Sequence, residues 1–561
     1  MSGPDQGTED RPGGDGSLAE AGISIRPVGE GAVLLEAPGW PPVALAAAVR
    51  EAAVRPLPGR ALPPVRGLQD VVPGAATVLV VVAGGEEIAA LLSVIAGIPD
   101  RQPPSPSDPG EEETVEIPVV YDGADLDEVA RHCGLTVAEV VAAHQGAVYQ
   151  AAFCGFAPGF AYLSGLPERL WVPRRRSPRP AVPAGSVAVA DRYSAVYPAP
   201  SPGGWQLLGR TDVAVWDIRR QPPALLSPGT HVRFVAAERS RRPAATATRS
   251  SSPEEPPAAG ALHVLDPGVL TTVQDPGRPG LGHQGVPPSG WLDGPAARLA
   301  NRLVGNDDGA ALLEATIGGP RLRLDLPPGA SRAVAVTGAE VSLSVDGRPA
   351  ATNAPLEVNG GSRIEVGWAR EGARAYLAVA GGLDVPPVLA SRATDLLSGI
   401  GPPRLAAGQS LALGPDGGRR SGLDVAPIRR PHPQPLLRVL PGPRDDWFGP
   451  DALAVLAATT WTVGSESNRV GLRLSGAVLA RSRPGELPPE GLIAGALQVP
   501  PSGEPVLFLA DHPVTGGYPV LGVVVGADMH LAAQLRPGAS LRFALVRSAR
   551  AADSQSGAEA G

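Results

Sequence analysis

Several short stretches of this chain gather hydroxyls, amides, carboxylates and arginines into turn-like text. Thr271-Thr272-Val273-Gln274-Asp275-Pro276-Gly277-Arg278 places two hydroxyls, an amide, a carboxylate and a guanidinium together, and Ser465-Glu466-Ser467-Asn468-Arg469 repeats the mixture. Ser201-Pro202-Gly203-Gly204-Trp205-Gln206, then Gly209-Arg210-Thr211, has the composition of an anion-cradling loop: free N–H groups, a hydroxyl and an arginine. Each alone is accounted for by turn chemistry. Several such clusters in a chain with only 19% charged residues point to convergence of some of them on one site. The segment Phe153–Leu163 packs aromatics around two glycines and a proline, so that Phe156, Pro158 and Gly159 read either as a close approach to a flat ligand or as a buried barrel corner. His144 reads either as a packed, hydrogen-bonded histidine or as a partner for substrate or phosphate.

Other chemistries are excluded. Gly280-Leu281-Gly282-His283-Gln284-Gly285 matches the dinucleotide glycine pattern, but Pro287 and Pro288 stand where the phosphate-binding helix must begin. There is no Gly-x-Ser-x-Gly elbow. His132 and Cys133 are adjacent rather than spaced as ligands; Asp511-His512 reads as a cation ligand or a turn after a strand at Pro505–Ala510, and no metal site is identified. All 48 Lys+Arg residues are arginine, so there is no phosphate-loop lysine, no Schiff-base lysine and no biotin-bearing lysine. Phosphate must then be handled by arginine, backbone N–H groups or a metal. A net charge of -8 argues against a nucleic-acid partner, and Arg174-Arg175-Arg176 reads as a local anion site or a solvated turn. Cys133 and Cys154 build no disulfide framework. Met1–Glu20 lacks the features of a signal peptide and no apolar stretch reaches membrane-spanning length, which predicts a cytoplasmic protein without a membrane partner.

The elements that must position these residues are mostly β. A length of 561 residues predicts three or four domains, and 71 glycines with 65 prolines predict short strands and tight turns. Residues 1–20 and 547–561 read as disordered tails, 21–102 as a small α+β subdomain, 112–236 as a barrel and 237–260 as a linker. Residues 261–430 and 436–546 read as two β lobes. Helices are predicted at Val43–Val54, Glu86–Ala96, Asp125–Cys133 (capped by Asp125), Val137–Val148, Asp293–Val304 (capped by Asp293, with Pro295 in its first turn) and Pro450–Ala458. Strands are predicted at Ala32–Leu35, Ala76–Ala83 and Thr114–Tyr121, with short strands beyond Tyr149. An internal repeat supports a related barrel in each half: Val182–Gly185 with Val499–Gly503, Gly203-Gly204-Trp205 with Gly516-Gly517-Tyr518, and Pro228-Gly229 with Pro537-Gly538. Paired barrels leave a cleft suited to a small molecule.

These segments resemble a known family. Gly155–Leu163, Pro173–Arg179, Val182–Val187, Tyr197-Pro198 and Ser201–Thr211 are similar to the B subunit of bacterial 5-oxoprolinase, also described as allophanate hydrolase subunit 1 and as the Kip inhibitor. Thr271–Arg278, Gly285–Asp293, Gly381–Thr394, Gln498–Gly503 and Thr515–Pro519 resemble the C subunit. The resemblance implies a mainly β, α+β fold with cyclophilin-like β-barrel domains in both halves. It also implies ATP as cosubstrate with Mg²⁺, a separate partner, the LamB/YcsF-type A subunit, and ring opening of 5-oxoproline to glutamate. A homo-oligomer is compatible with it. On that reading phosphate contacts fall to Arg210 with Gly203 and Gly204, and to Arg278 or Arg469, while Gln274, Asp275 and Gln498 orient the lactam. His144, Phe156, Pro158, Gly159, Ser201, Gln206, Thr272, Arg392, Ser467 and Tyr518 are further expected contacts. Such fusions also resemble the carboxyltransferase part of urea carboxylase, which keeps a biotin-dependent transferase open, and a histidine-kinase inhibitor is a third reading. The chain departs from the family's pattern at Asp191–Ala195, at Gly290-Trp291-Leu292-Asp293 and at Ala390–Thr394, where Ala390 replaces a usual glycine.

Overall fold

The computed structural model describes residues 22–54, 65, 67–96, 98, 114–238, 259–419, 421–423, 425–427 and 432–546. The predicted tails and nearly all of the predicted linker lie outside them.

An antiparallel sheet comes first, in the order Ser24–Val28, Ala32–Glu36, Val78–Val82, Leu68–Pro73. Side chains alternate across it, as the period-two geometry of a strand requires. Val33, Leu35, Val78 and Val80 pack under helices Pro42–Val54 and Gly85–Ile95, while Ala32, Leu34, Val72 and Leu79 face the other way. The two strands not predicted from sequence, Ser24–Val28 and Leu68–Pro73, are the sheet's edges and carry Pro27 and Pro73, which weakens a strand signal and is tolerated only at an edge.

Both halves then contain a seven-stranded barrel on one plan. The first runs Thr114–Val119, Gln206–Arg210, Ser186–Ala190, Tyr193–Val196, Ala161–Ser164, Tyr149–Cys154 and His231–Ala236 around the barrel. It is closed by a Val120–Arg210 bridge on one side and by parallel pairing of Thr114–Val119 with His231–Ala236 on the other. The second runs Leu436–Pro441, Val520–Val524, Ala496–Gln498, Val506–Phe508, Gly471–Ser475, Trp461–Val463 and Ser540–Leu545, with its first and last strands again parallel. Even the satellite ribbons correspond, Arg179–Val182 with Ser201–Gly203 in one and Glu490–Gly491 with Thr515–Gly516 in the other.

This topology corrects one landmark of the repeat. Gly185, at φ 78°, precedes the strand Ser186–Ala190, and its counterpart is Gly495, at φ 87°, before Ala496–Gln498. Val499–Gly503 instead turns between two strands, with the Gly503 N–H donating to the Pro500 carbonyl at 3.0 Å. The Gly-Gly-aromatic and Pro-Gly landmarks remain in register, each leading into equivalent strands.

Between the barrels lies a nine-stranded sheet dominated by the long strands Ser331–Val345 and Arg363–Val379. Helix Gly294–Leu303 packs on it through Ala297, Ala300 and Leu303 against Ala333, Ala335 and Tyr376. Asp293 caps that helix, accepting from the Ala296 N–H at 3.0 Å. Asp125, by contrast, does not cap the helix Leu126–Cys133: its carboxylate is only 2% exposed and accepts from Arg175 and Arg179, each at 2.7 Å, and from the Leu207 N–H at 2.8 Å. The next helix, Val137–Gln145, is shorter than predicted and starts with a Thr136–Glu139 capping box.

The halves are interlocked. The free face of the N-terminal sheet packs against Leu492, Phe508, Val514, Val520 and Val523 of the second barrel. At the same seam the Ala75 N–H donates to the Pro489 carbonyl at 2.8 Å, and Arg444 joins Glu490 of its own barrel to Glu36 of the sheet. Gly159 donates to the Gln284 carbonyl at 2.9 Å, and a Cβ at Gly155 would stand 1.9 Å from Thr515 Oγ1, so only glycine fits there. An apolar seam of this kind holds without a tether. Residues 1–238 and 259–561 produced as separate chains are expected to co-elute as a one-to-one complex on size exclusion. Leu79→Arg, which buries a charge in the seam, is expected to separate them.

Candidate functional site

A cluster of buried charged and polar groups sits where the nine-stranded lobe meets the second barrel. The strand Leu270–Gln274 delivers Thr272, Gln274 and Asp275; the strand Leu312–Thr316 delivers Glu314; Arg469 precedes the strand Gly471–Ser475, and Asp511 follows Val506–Phe508. Arg469 is 2% exposed. Its guanidinium donates to Asp511 at 2.9 and 3.0 Å, to the Gly290 carbonyl at 2.5 Å and to Glu314. Two carboxylates hold the Arg469 guanidinium charged well above its ordinary range despite the burial that opposes charge. Asp511 also accepts from Ser289 Oγ at 2.6 Å and the Leu396 N–H at 3.2 Å. Glu314 accepts from the Leu292 N–H at 3.0 Å and the Tyr376 hydroxyl at 2.9 Å.

The Thr271–Arg278 segment joins this network through the loop that follows Ala390. Asp275 accepts from Ser391 Oγ at 2.6 Å, the Arg392 N–H at 2.5 Å and the Gly277 N–H at 2.8 Å. Gln274 Nε2 donates to Thr272 Oγ1 and to the Thr394 carbonyl, both at 3.0 Å. Arg278 donates through Nη2 to the Ala393 carbonyl, while its Nε and Nη1 have no protein partner. Gln274 Oε1 and Thr394 Oγ1 are also buried without a partner. A buried polar atom left unpaired costs about 1–3 kcal/mol. Two donors on Arg278, the Gln274 amide oxygen and the Thr394 hydroxyl are thus buried without partners among the described residues, beside the Ala393 and Thr394 carbonyls that Arg278 and Gln274 engage. Burial lowers the Arg278 guanidinium pKa, opposed by Asp395, Asp275 and Asp511. Asp395 is displaced upward, first by burial and then by the charge on Asp511. Next to it Leu396 and Leu397 are 39% and 46% exposed, so the network lies directly beneath the surface there.

Four expected residues, Gln274, Asp275, Arg278 and Arg469, thus come together, with Thr272 and the Arg392 backbone beside them. The Arg392 side chain turns outward to the Val385 carbonyl and Asp384. Several others lie elsewhere. Gln498 donates to the Tyr518 carbonyl at 3.0 Å within the second barrel. Ser467 accepts from the Arg473 N–H in a turn, and Ser201 lies in a surface ribbon. Arg210 pairs with Asp122 on the surface and does not meet the Gly203-Gly204 loop; the Gly204 carbonyl accepts from the Arg175 N–H at 2.7 Å instead. Gln206 donates to the Pro173 carbonyl. His144 is fully buried, held by Tyr121 at 2.8 Å and Ser194 at 3.0 Å, and burial lowers its pKa to about 3, so it packs as a neutral imidazole. In the first barrel Pro158 and Gly159 are buried at the contact with Gln284, whereas Phe156 is 44% exposed at φ 67°, a conformation that strains a bulky residue.

Glu314, Asp395 and Asp511 are members of this cluster that the sequence does not announce. Asp511 is legible there only as a ligand or turn; Glu314 is signalled by being the one acid in an apolar strand. Among the described residues no group of three or more His, Cys, Asp or Glu is placed to hold a metal. The acids here are engaged by arginines, hydroxyls and backbone N–H groups.

Two expectations follow from the geometry. Leu389 and Ala390 both have positive φ, 53° and 63°, in the tight turn that presents Ser391. Left-handed backbone costs a residue with a Cβ about 1–2 kcal/mol, and glycine gives part of that back as chain entropy. Ala390→Gly is therefore expected to stabilise the fold by about 0.5–1 kcal/mol in urea unfolding. Asp395 binds its proton more tightly folded than unfolded, so its stabilising contribution is present at acidic pH and lost as pH rises through the raised value. Asp395→Asn, with no proton to lose, is expected to raise Tm by roughly 2 °C at pH 8 and to leave it near the wild-type value at pH 4, as read by calorimetry.

Residues 284–545 match the family model for the carboxyltransferase domain, subdomains A and B, and residues 23–226 match that for subdomains C and D. The chain is 37% identical to the C subunit of 5-oxoprolinase from Escherichia coli K12 over 285 residues, covering 50% of this chain and 90% of that protein. It is 42% identical to the B subunit of 5-oxoprolinase from Escherichia coli O157:H7 over 211 residues, covering 37% of this chain and 93% of that protein. Urea amidolyase of Lachancea kluyveri is 34% identical over 311 residues, 50% of this chain but 17% of that protein. The crystal structure of TTHA0988 superimposes with a TM-score of 0.78 at 38% identity, covering 93% of this chain and 100% of that one.

Proposed function

The chain belongs to the carboxyltransferase-domain family of the 5-oxoprolinase B and C subunits, both carried on one polypeptide, and we propose that it is the B–C component of an ATP-dependent 5-oxoprolinase. The observation that carries this reading is that nearly the whole length of both relatives is present in order, 93% of one and 90% of the other. A five-membered lactam is an unstrained amide with a poor leaving group. Phosphorylation solves this: the lactam oxygen attacks the γ-phosphorus, ADP leaves, and the ring carbon becomes an electrophile open to water. Collapse of that adduct breaks the ring C–N bond, the nitrogen leaving as a protonated amine, to give γ-glutamyl phosphate. A second water then displaces phosphate to yield glutamate, with the LamB/YcsF-type A subunit completing the hydrolysis. Such a step asks for positioning and charge neutralisation rather than a protein nucleophile. The unpartnered Arg278 donors suit the lactam's carboxylate or developing oxyanion, and Gln274 Oε1 suits its ring N–H. Mg²⁺ would arrive as the counter-ion of ATP. The cytoplasm is the compartment in which ATP is available.

The urea amidolyase relationship favours a second reading, carboxyl transfer from a biotin carrier to a small amide. Since these 561 residues contain no lysine, the biotin-bearing residue would lie outside them. One assay separates them. The chain mixed with an active preparation of the LamB/YcsF-type protein is expected to release glutamate from 5-oxoproline only with ATP, and Arg278→Gln to lower kcat/KM about a hundredfold. Absence of glutamate with an active partner, and carboxylation of urea in the presence of biotin carrier, would replace the first reading by the second.

A further inference from the structure

A cavity of about 390 Å³ lies within the second half, where helix Gly294–Leu303 of the central lobe faces the short helix Met529–Ala533 of the second barrel. None of its lining residues belongs to the Arg278 cluster. Pro295 and Leu299 wall it from the first helix, and Leu531 and Leu535 from the barrel. Most of its polar lining is spent on the fold. Asp293 accepts from the Ala296 N–H at 3.0 Å and from Gln534 Nε2 at 2.8 Å, and Gln534 Oε1 accepts from the Ala373 and Arg374 N–H groups at 2.9 and 3.0 Å. Arg302 donates to Asp308 at 2.7 Å, and His530 is bonded through Nδ1 to the Ala527 carbonyl at 2.7 Å. At the rim, His432 Nδ1 accepts from the Gln434 N–H at 3.0 Å, which leaves Nε2 of the neutral ring as a donor.

Two lining residues are not spent in this way. Asn353 is only 7% exposed, yet its side-chain amide makes no hydrogen bond among the described residues. Its backbone, at φ 56°, suits asparagine, but glycine would suit it as well and carries no amide. Arg298 is half-buried and makes neither a hydrogen bond nor an ion pair among the described residues; its charge bears on Asp308, which Arg302 already holds. A Cβ on Gly294 would stand 3.0 Å from Arg298 Nη1, so the guanidinium folds back over the first turn of the helix. Asn353 is tied to the same turn. Its N–H donates to the Val336 carbonyl at 2.8 Å, and the hydroxyl of the next residue, Thr337, donates to the Ala296 carbonyl at 2.7 Å. A free amide and a free guanidinium thus flank one turn of helix, with the leucines of the barrel facing them.

Each of these features selects a chemical group. A side-chain amide donates and accepts at once, and another amide satisfies both functions together. An arginine without an acid is matched by a carboxylate. Leu299, Leu531 and Leu535 are matched by hydrocarbon. We propose that this cavity binds a small N-acylated aliphatic amino acid, its carboxylate on Arg298, its amide on Asn353 and its side chain against the three leucines. The site is separate from the Arg278 cluster and stands whether or not the chain turns over 5-oxoproline.

The full chain is titrated by calorimetry with N-acetyl-L-leucine, with isocaproate, which lacks the amide, and with N-acetyl-L-leucinamide, which lacks the carboxylate. N-acetyl-L-leucine is expected to bind one-to-one and at least about tenfold more tightly than either of the others. Arg298→Gln is expected to weaken N-acetyl-L-leucine at least about tenfold and to leave N-acetyl-L-leucinamide unchanged. Asn353→Gly, which keeps the backbone conformation, is expected to weaken both acetylated probes severalfold and to leave isocaproate unchanged. Circular dichroism checks that each variant folds, and the probe that each variant leaves unchanged checks that its cavity is intact. Absence of saturable N-acetyl-L-leucine binding to the wild type overturns the proposal, as does binding that both substitutions leave unchanged.

Discussion

One guanidinium, that of Arg469, ties the second half of the molecule together. It leaves water almost completely, and an unpaired charge in that position would cost several kcal/mol. Its neutralising partners come from three separated stretches of chain: Glu314 from the central lobe, Asp511 from the barrel and the Gly290 carbonyl from the segment that reaches toward the first half. None of these can shift without breaking charge balance. Asp511 in turn holds Ser289 and the Leu396 N–H, so the loop carrying Asp395 and the loop facing the first barrel are both referenced to the same carboxylate. The precision of the Arg278 surroundings is inherited from this buried pair.

The two barrels show how one scaffold can be put to two uses. Strand order and closure are the same, but the outward faces differ. The second barrel presents aliphatic residues such as Val520 and Val523, which the N-terminal sheet covers. The first instead packs a buried aromatic cluster of Phe153, Phe160, Tyr162, Tyr197 and Trp205, with Phe153 and Tyr162 stacked at 4.2 Å. Burial pushes the Tyr162 hydroxyl up to about 12. One barrel's aliphatic face became a domain interface; the other closes over its own aromatic residues.

The sequence is most readable where local chemistry decides the outcome. Helix Gly294–Leu303 is legible because Asp293 and Pro295 specify its start, and the Thr271–Arg278 cluster is visible by composition alone. Readability fails where a partner lies far along the chain. Asp125 has the position of a cap, yet its carboxylate is claimed by arginines 50 and 54 residues later. Glu314 and Asp511 gain meaning only through Arg469, 155 and 42 residues away. The repeat is visible, but one of its landmarks falls one strand too late because a Val-Pro pair followed shortly by Gly serves turns of either kind.

The seating of the N-terminal sheet on the second barrel has a consequence for biosynthesis. Val28, Ala32 and Leu34 leave the ribosome several hundred residues ahead of Leu492 to Val523, which cover them. Until then an apolar sheet face stands open to solvent, and contacts of such long sequence separation form slowly. The edge prolines, Pro27 and Pro73, then act as guards on the nascent chain, denying stray strands a continuous ladder to join while the face waits for its cover.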